Sequence, residues 1–315
     1  MEHTMSNRPT ILVVGSINID LVVRAARMPS PGETVLGSGF VTSPGGKGAN
    51  QAVAVARLGG TCRMIGRVGE DAFGESLLTN LKAEGIDCTD VIPTPGAATG
   101  VAMIIVDSKG ENSIVVASGA NHMVTPDDLF DRQEAFQQAA VVVLQLELPL
   151  PTVRAAIDLA RRHGCKTILD PAPAPKVMPP ELCQVDIISP NVSEAETITG
   201  KLAIEARIDK QVATDLIARG AKTAVLKLGP RGSMVVMGDG HFYTVPPYDV
   251  KVVDTTAAGD AFTAALAVAT ARGDHMHATA KFANAAGALA CTKLGAQSAM
   301  PTADEVRMLM ADQPI

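Results

Sequence analysis

The chain has 315 residues, 47% hydrophobic and 19% charged, with a formal net charge of −6. That balance describes a globular protein with a sizeable core; it excludes a disordered chain and gives no electrostatic footprint for nucleic acid or an anionic membrane. The longest apolar runs, such as Val141 to Leu144 and Ala261 to Ala269, fall far short of the ~20 residues that cross a bilayer.

The opening M-E-H-T-M-S-N-R has no apolar signal-peptide core, so a frayed end is expected there, with Met5 as an alternative start. Thr10 to Val14 (T-I-L-V-V) is a β-branched run ending at Gly15, the pattern of a strand buried on both faces. Ala49 to Leu58 is alanine-rich and stops at Gly59-Gly60, which predicts a helix. Cys62 to Val68 reads as a strand, and Phe73 to Glu84 as a helix closed by Gly85. Ala140 to Leu146 is a further buried strand, and Pro151 to His163 a helix with proline in its first turn. Thr167 to Asp170, Asp186 to Ser189 and Thr223 to Leu228 are short apolar runs of the same kind. Strands alternating with helices predict one α/β domain over 1–315: a central, mostly parallel sheet with helices on both faces.

Two regions break the alternation. About Asn18 to Val41 centres on M-P-S-P-G-E, and about Thr99 to Ala117 carries β-rich runs around the turn tetrad Asp107 to Gly110. Together they are expected to form a small β-sheet outside the main layer, a lid. No internal repeat, low-complexity tract or Gly/Ser linker interrupts the chain. Cys62, Cys88, Cys165, Cys183 and Cys291 contain no C-x-x-C pair. They read as reduced core thiols of a cytoplasmic protein.

The richest motif is Val253 to Thr270, where V-D-T-T-A-A-G-D leads into a helix of small apolar residues. Backbone amides at a helix start have no partner inside the helix and carry partial positive charge, which suits a phosphate. Ala257, Ala258 and Gly259 let an anion approach, and Asp260 beside them can accept a proton from a hydroxyl. The bland alternative makes Asp260 a helix cap.

Ser43 to Gln51 (S-P-G-G-K-G-A-N-Q) opens a helix without P-loop spacing; Lys47 and Asn50 offer donors to a polyhydroxy ligand, or the segment is a solvated turn. In G-S-I-N-I-D, Asn18 and Asp20 share a strand face just after the first strand, where open α/β sheets bind ligands. The alternative is ordinary turn chemistry. Asn191 and Glu194, at N-x-x-E spacing, fit either magnesium-bound water and phosphate oxygens or a helix cap. Glu147 is expected to end the buried strand V-V-V-L-Q-L-E, at its C-terminal edge, and Lys227 to Gly232 (K-L-G-P-R-G) is a turn that could form the wall of a nucleotide pocket.

Taken in order, G-S-I-N-I-D, G-G-K-G-A-N, Q-L-E, P-N-V-S-E, L-G-P-R-G and D-T-T-A-A-G-D resemble the ribokinase family of carbohydrate kinases, over roughly Thr10 to Pro301. The resemblance implies phosphorylation of D-ribose by ATP to ribose 5-phosphate and ADP, with a β lid often shared in a homodimer. It assigns Asn18, Asp20, Gly46, Lys47, Asn50, Glu147 and Asp260 to the sugar, with Asp260 as catalytic base and Ala257 to Gly259 as anion-hole amides. It assigns Asn191, Lys227, Leu228, Gly229, Pro230, Arg231, Gly232, Gly259 and Asn284 to the nucleotide, and Glu194 to Mg2+ through water. Asp254, Thr256, Ala290, Lys293 and Gly295 match a potassium loop.

Lys227 stands where the family often has Thr, Asn284 where it often has His, and Ala299 where a serine hydroxyl often completes the K+ shell. Two rivals are carried forward: a kinase of a related sugar such as deoxyribose, and a sugar-binding protein without catalysis. A nucleoside or fructose-type kinase fits the G-G-K-G-A-N-Q motif less well.

Overall fold

The structure, a computed structural model, describes residues 9–108 and 112–315. The expected frayed end, with the alternative start Met5, and Lys109 and Gly110 of the expected turn lie outside the described residues. The strands in chain order are β1 (Thr10–Val14), β2 (Asn18–Ala25), β3 (Gly37–Gly45), β4 (Thr61–Gly69), β5 (Asp87–Thr94), β6 (Gly100–Val106) and β7 (Asn112–Ala117). They continue with β8 (Ala139–Leu144), β9 (Lys166–Leu169), β10 (Ile187–Ile188), β11 (Thr223–Lys227), β12 (Ser233–Met237) and β13 (Phe242–Val245).

Nine strands form the main sheet, in the order β13-β12-β11-β10-β9-β8-β1-β4-β5. All pairings are parallel except the two at the β11-β12-β13 edge. β1 shows why both faces must be covered. Ile11 and Val13 point into one core with the helices Lys47–Arg57, Ala258–Arg272 and Met276–Ala290. Leu12 and Val14 point into the other, with Leu150–Arg162 and Ala206–Ala218. Successive side chains alternate across the sheet, so a wholly apolar strand needs apolar partners on both sides. The helix Ala258–Arg272 is buried at every position from Asp260 to Ala269. A helix buried all round sits in the core, and its small residues let neighbours approach.

The remaining strands make a four-stranded sheet, in the order β3-β2-β6-β7. β2 runs antiparallel to β3 and parallel to β6, and β6 antiparallel to β7. β3 continues past Val41 to Gly45, so this sheet leads directly into the helix at Lys47.

Two boundaries differ from the sequence expectation in ways that matter for the site. β8 stops at Leu144, so Glu147 lies beyond the strand rather than at its end. The neighbouring β9 is followed by Pro171 and Pro173, which lack a donor and close the ladder. The helix predicted from Ala49 begins at Lys47, which puts Lys47, Asn50 and Gln51 on its first turns.

Candidate functional site

The site assembles where parallel strands end. Ser16 follows β1, Gln145 and Glu147 follow β8, Asp170 follows β9, Asn191 follows β10, and Lys227 closes β11. These strands are neighbours in the sheet, and the crevice beyond such carboxyl ends is the ligand-binding edge of open α/β sheets.

Glycines bring the helix Lys47–Arg57 onto that edge. Gly46, its N-cap, has φ 87°, and a Cβ there would lie 2.7 Å from the Asn18 nitrogen. A Cβ on Gly48 would lie 2.5 Å from the Gly15 carbonyl carbon. Any side chain at either position would push the helix off the backbone after β1. Ala49 N donates to Ser16 O at 2.9 Å, which locks the contact.

A second helix start faces the first. Ala257, the N-cap of Ala258–Arg272, has φ 59° and ψ 11°. Among the described residues it is the non-glycine with positive φ, a conformation that costs about 1–2 kcal/mol. Ala258 N donates to Thr255 O at 3.3 Å, and the helical ladder begins with Ala261 N donating to Ala257 O at 3.0 Å. The Gly259 and Asp260 amides lie ahead of that ladder, at the positive end of the helix.

Asp260 is buried, and its carboxylate accepts from Asn50 Nδ2 and Gln51 Nε2, both at 3.0 Å. Burial pushes its pKa up, the Lys47 ammonium pulls it down, and the Asp170 carboxylate pushes it up again. The charge of Asp260 in turn is the main cause that raises the Lys47 pKa. Asp20 sits on β2 two residues from Asn18, on the same face. Its carboxyl is pushed up to about 7 by burial and by the charges of Glu147 and Asp260. Asn18 Oδ1 accepts from Asn121 Nδ2 at 2.7 Å. Glu147 accepts from the Ser16 hydroxyl and from Lys47 N at 3.2 Å. Asn50 Oδ1 is buried and has no hydrogen-bond partner among the described residues. Asn18, Asp20, Gly46, Lys47, Asn50, Glu147 and Asp260 are thus drawn together from four separate stretches of sequence. A cluster of donors and carboxylates around a buried base can grip a polyol and take a proton from one hydroxyl.

After β10, Asn191 caps the helix Val192–Thr199 and forms a reciprocal capping box with Glu194. Asn191 Oδ1 accepts from Glu194 N, and Glu194 Oε2 accepts from Asn191 N, both at 2.8 Å. The capping alternative is therefore present, and it also fixes Glu194. Burial raises the Glu194 pKa, Lys227 lowers it, and Asp170 raises it. Lys227 forms an ion pair with Asp170 at 2.8 Å. Leu228 is buried; Gly229–Arg231 is a single 3-10 turn closed by Gly232 at φ 79°. The Arg231 guanidinium is held by the buried Asp209 and by Ala203 O, so Arg231 shapes the turn, while Pro230 and Gly229 stay exposed. Asn284 spends its amide nitrogen on Val245 O and Pro246 O, at 3.1 and 3.0 Å.

Asp254 ties two loops together. Its Oδ1 accepts from Thr256 N and Oγ1, and its Oδ2 from Gly295 N at 2.9 Å. Ala290 ends the helix Met276–Ala290 between them, Ala299 is fully buried nearby in chain, and Lys293 pairs outward with Glu305 at 2.8 Å. Among the described residues, no group of three or more His, Cys, Asp or Glu is arranged to hold a metal.

Sequence reasoning missed Gln51, Asp170, Gln145, Ser16, Thr263 and Asn121. Gln51 donates to Asp170 Oδ2 as well as to Asp260, and Gln145 Nε2 donates to Gln51 Oε1. Asp170 was recoverable: it follows an apolar run, as Glu147 does. Gln51 adjoins Asn50 in the glycine-rich motif. Nothing local marks Asn121.

The family model for pfkB family carbohydrate kinases matches residues 8–303. A ribokinase of Bacillus subtilis is 38% identical over 301 residues, covering 96% of this chain and 99% of that protein. A deoxyribokinase of Salmonella typhi is 34% identical over 296 residues, covering 94% and 96%. The solved structure of an Arabidopsis thaliana ribokinase complexed with ribose and ATP superposes with a TM-score of 0.89 at 33% identity, covering 96% of this chain and 98% of that one. With its buried helix-start carboxylate set among amide, ammonium and carboxylate groups, and with relatives matched along nearly their whole length, the chain belongs to the pfkB family of carbohydrate kinases.

Proposed function

We propose that the chain phosphorylates D-ribose at its 5-hydroxyl with ATP, giving ribose 5-phosphate and ADP. The observation that carries this reading is Asp260: a buried carboxylate, held by Asn50 and Gln51, at the positive end of the helix that starts from the strained Ala257. The ribokinase relatives, including the Arabidopsis protein complexed with ribose and ATP, support it.

Asn18, Asp20, Lys47, Asn50 and Glu147 hold the sugar and aim its hydroxyl at Asp260. Even with its pKa raised by burial, a carboxylate is a far weaker base than an alkoxide, so Asp260 takes the proton late, as the phosphoryl group arrives. The helix-end amides at Ala257 to Gly259 stabilise charge on the group in flight. Asn191, Lys227 to Gly232 and Asn284 line the nucleotide side.

Two cations fit the residues present. Magnesium keeps several waters and takes few protein ligands; the capping box leaves Glu194 fixed, with carboxylate lone pairs for such water. When bound with ATP, magnesium neutralises phosphate charge. Potassium suits the oxygen donors of the Asp254 loop, with Thr256, Ala290, Lys293 and Gly295 contributing chiefly carbonyls; Ala299 brings no hydroxyl.

The four-stranded sheet is a lid over the sugar side and a dimer surface. Phe40, Val41, Met103, Ile114 and Val115 are 51–70% exposed on it, and a second copy of the chain would cover them. No described helix is long and apolar enough to cross a membrane, and all five cysteines are free, in keeping with a cytoplasmic enzyme.

Deoxyribose is the second reading, favoured by the deoxyribokinase relative. Coupled ADP release with magnesium ATP, comparing kcat/KM for ribose and deoxyribose with and without potassium, decides. Ribose is expected to win, because Asn18 and Asp20 offer a grip on its 2-hydroxyl. Absence of ADP release with either sugar would favour a sugar-binding protein without catalysis.

A further inference from the structure

Lys227 is set apart from the sugar-side cluster. Its Nζ pairs with Asp170 Oδ1 at 2.8 Å, with side-chain exposures of 11% and 2%. Asp170 is itself pinned, since its Oδ2 accepts from Gln51 Nε2 at 3.0 Å and from Thr263 Oγ1 at 3.3 Å. The end of the lysine lies along Gly259: a Cβ built there would meet Nζ at 3.4 Å, Cδ at 3.9 Å and Cε at 4.0 Å. Lys227 is also the leading group that favours the charged form of Glu194, against the burial that disfavours it. The ammonium therefore lies beside the helix start that carries Asp260, within electrostatic reach of the Glu194 carboxylate.

Stability alone is a weak reason for such a pair, because buried ion pairs are often no better than apolar residues of the same volume. An ammonium has three donors. Asp170 takes one, which leaves the others for a ligand.

We propose that Lys227 is a catalytic residue of phosphoryl transfer, its ammonium touching the oxygens of the phosphoryl group in flight, and that Asp170 is the positioning residue that aims it. This rests on the kinase reading. Lys227 exchanges no bond and no proton. The bond from the γ-phosphorus to the ADP oxygen breaks, the bond to the sugar oxygen forms, and the hydroxyl proton passes to Asp260. The loose transition state spreads charge over the three equatorial oxygens, where a full positive charge adds to the partial charge of the Gly259 amide.

The test uses the full-length enzyme and three variants: Lys227→Met, Asp170→Asn and the double variant. Lys227→Met is expected to lower kcat by about 10²-fold, as loss of one transition-state donor does, with ADP affinity by calorimetry changed by no more than about threefold. It also strands Asp170 as an unpaired buried charge, so its melting temperature falls. The double variant removes both charges; its melting temperature should recover while kcat stays low. If kcat recovers with stability, the pair is a structural cross-link and the proposal is wrong. If ADP affinity falls as far as kcat does, Lys227 is a nucleotide-binding residue only, and the proposal is again wrong. Wild-type turnover with an equally active Lys227→Met overturns this proposal alone, whereas a wild type that releases no ADP with ribose overturns the kinase reading and this proposal with it.

Discussion

Gln51 Nε2 donates to Asp260 Oδ1 at 3.0 Å, and the same nitrogen reaches Asp170 Oδ2 at 3.0 Å. One amide thus separates two buried carboxylates that would otherwise face each other across the site. Gln51 is fully buried, and its own oxygen accepts from Gln145, which fixes which end of the amide points at the acids. Replacing it with Leu leaves both carboxylates short of a donor. Each unsatisfied buried group costs about 1–3 kcal/mol. Gln51→Leu should therefore lose stability of at least that order in urea unfolding and also lose kcat. A variant as stable and active as the wild type would show that the bridge is incidental.

Asp260→Asn should lower kcat by roughly 10²–10⁴ with the fold intact, as expected for a lost general base. Wild-type turnover by the purified variant would remove Asp260 from the chemistry. The pH dependence gives an independent check. A base must be unprotonated, and burial raises the Asp260 pKa above its ordinary value. The acid limb of kcat/KM is therefore expected above the ordinary Asp range, with activity lost as pH falls through it. Lys47 is the charge that pulls this pKa down, so Lys47→Met should move the limb to higher pH. A limb that stays put, or moves lower, contradicts the electrostatic picture.

Much of this was legible from sequence because the signals were local. T-I-L-V-V gave β1 to the residue, since a wholly apolar run bounded by glycine has few other uses in an α/β chain. The helix start at D-T-T-A-A-G-D was legible for the same reason. What was not legible was long-range: that β2 pairs with β6 in parallel, and that Asp170 and Gln51, 119 residues apart in the chain, share a hydrogen bond. Glu147 was placed at a strand end because its apolar run continues through Leu146; the prolines that end the ladder lie on the neighbouring strand's segment instead. The turn Lys227 to Gly232 is legible as a candidate nucleotide wall, but the pairing of the Lys227 ammonium with Asp170, 57 residues earlier in the chain, is not, because no local pattern links the two.

Asp20 links pH to stability. Its pKa is 3.8 in the ordinary state and about 7 in the fold. Between those values the native state binds the proton that the unfolded chain has released. Stability therefore falls as pH rises from ~4 to ~7, by up to about 1.4 kcal/mol per pH unit, and levels off above. Asp20→Asn removes that slope. Its melting temperature relative to wild type should rise from pH 4 to about pH 7 and then level off, as measured by scanning calorimetry. The same substitution should weaken ribose binding at neutral pH, because a charged acceptor for hydroxyls is lost. A constant melting difference across that range would mean that Asp20 titrates normally; unchanged ribose affinity would take it out of the sugar site.

Ala257 offers a test of strain at the helix start. At φ 59° and ψ 11° its Cβ costs about 1–2 kcal/mol that glycine would not incur. Glycine gives back part of that through the freer unfolded chain, about 0.4–1 kcal/mol. Ala257→Gly is therefore expected to gain roughly 0.5–1 kcal/mol in urea unfolding, by difference. Ala257→Val should go the other way, because a β-branched residue tolerates positive φ still less. To reach an allowed conformation the valine chain must rotate the turn, which carries the Gly259 and Asp260 amides with it. Its kcat should fall more than its KM rises, since those amides act on charge that develops only in the transition state. If Ala257→Gly proves less stable than wild type, the turn is not strained, and if Ala257→Val keeps full kcat, the amide end of this helix does not serve the transferred group.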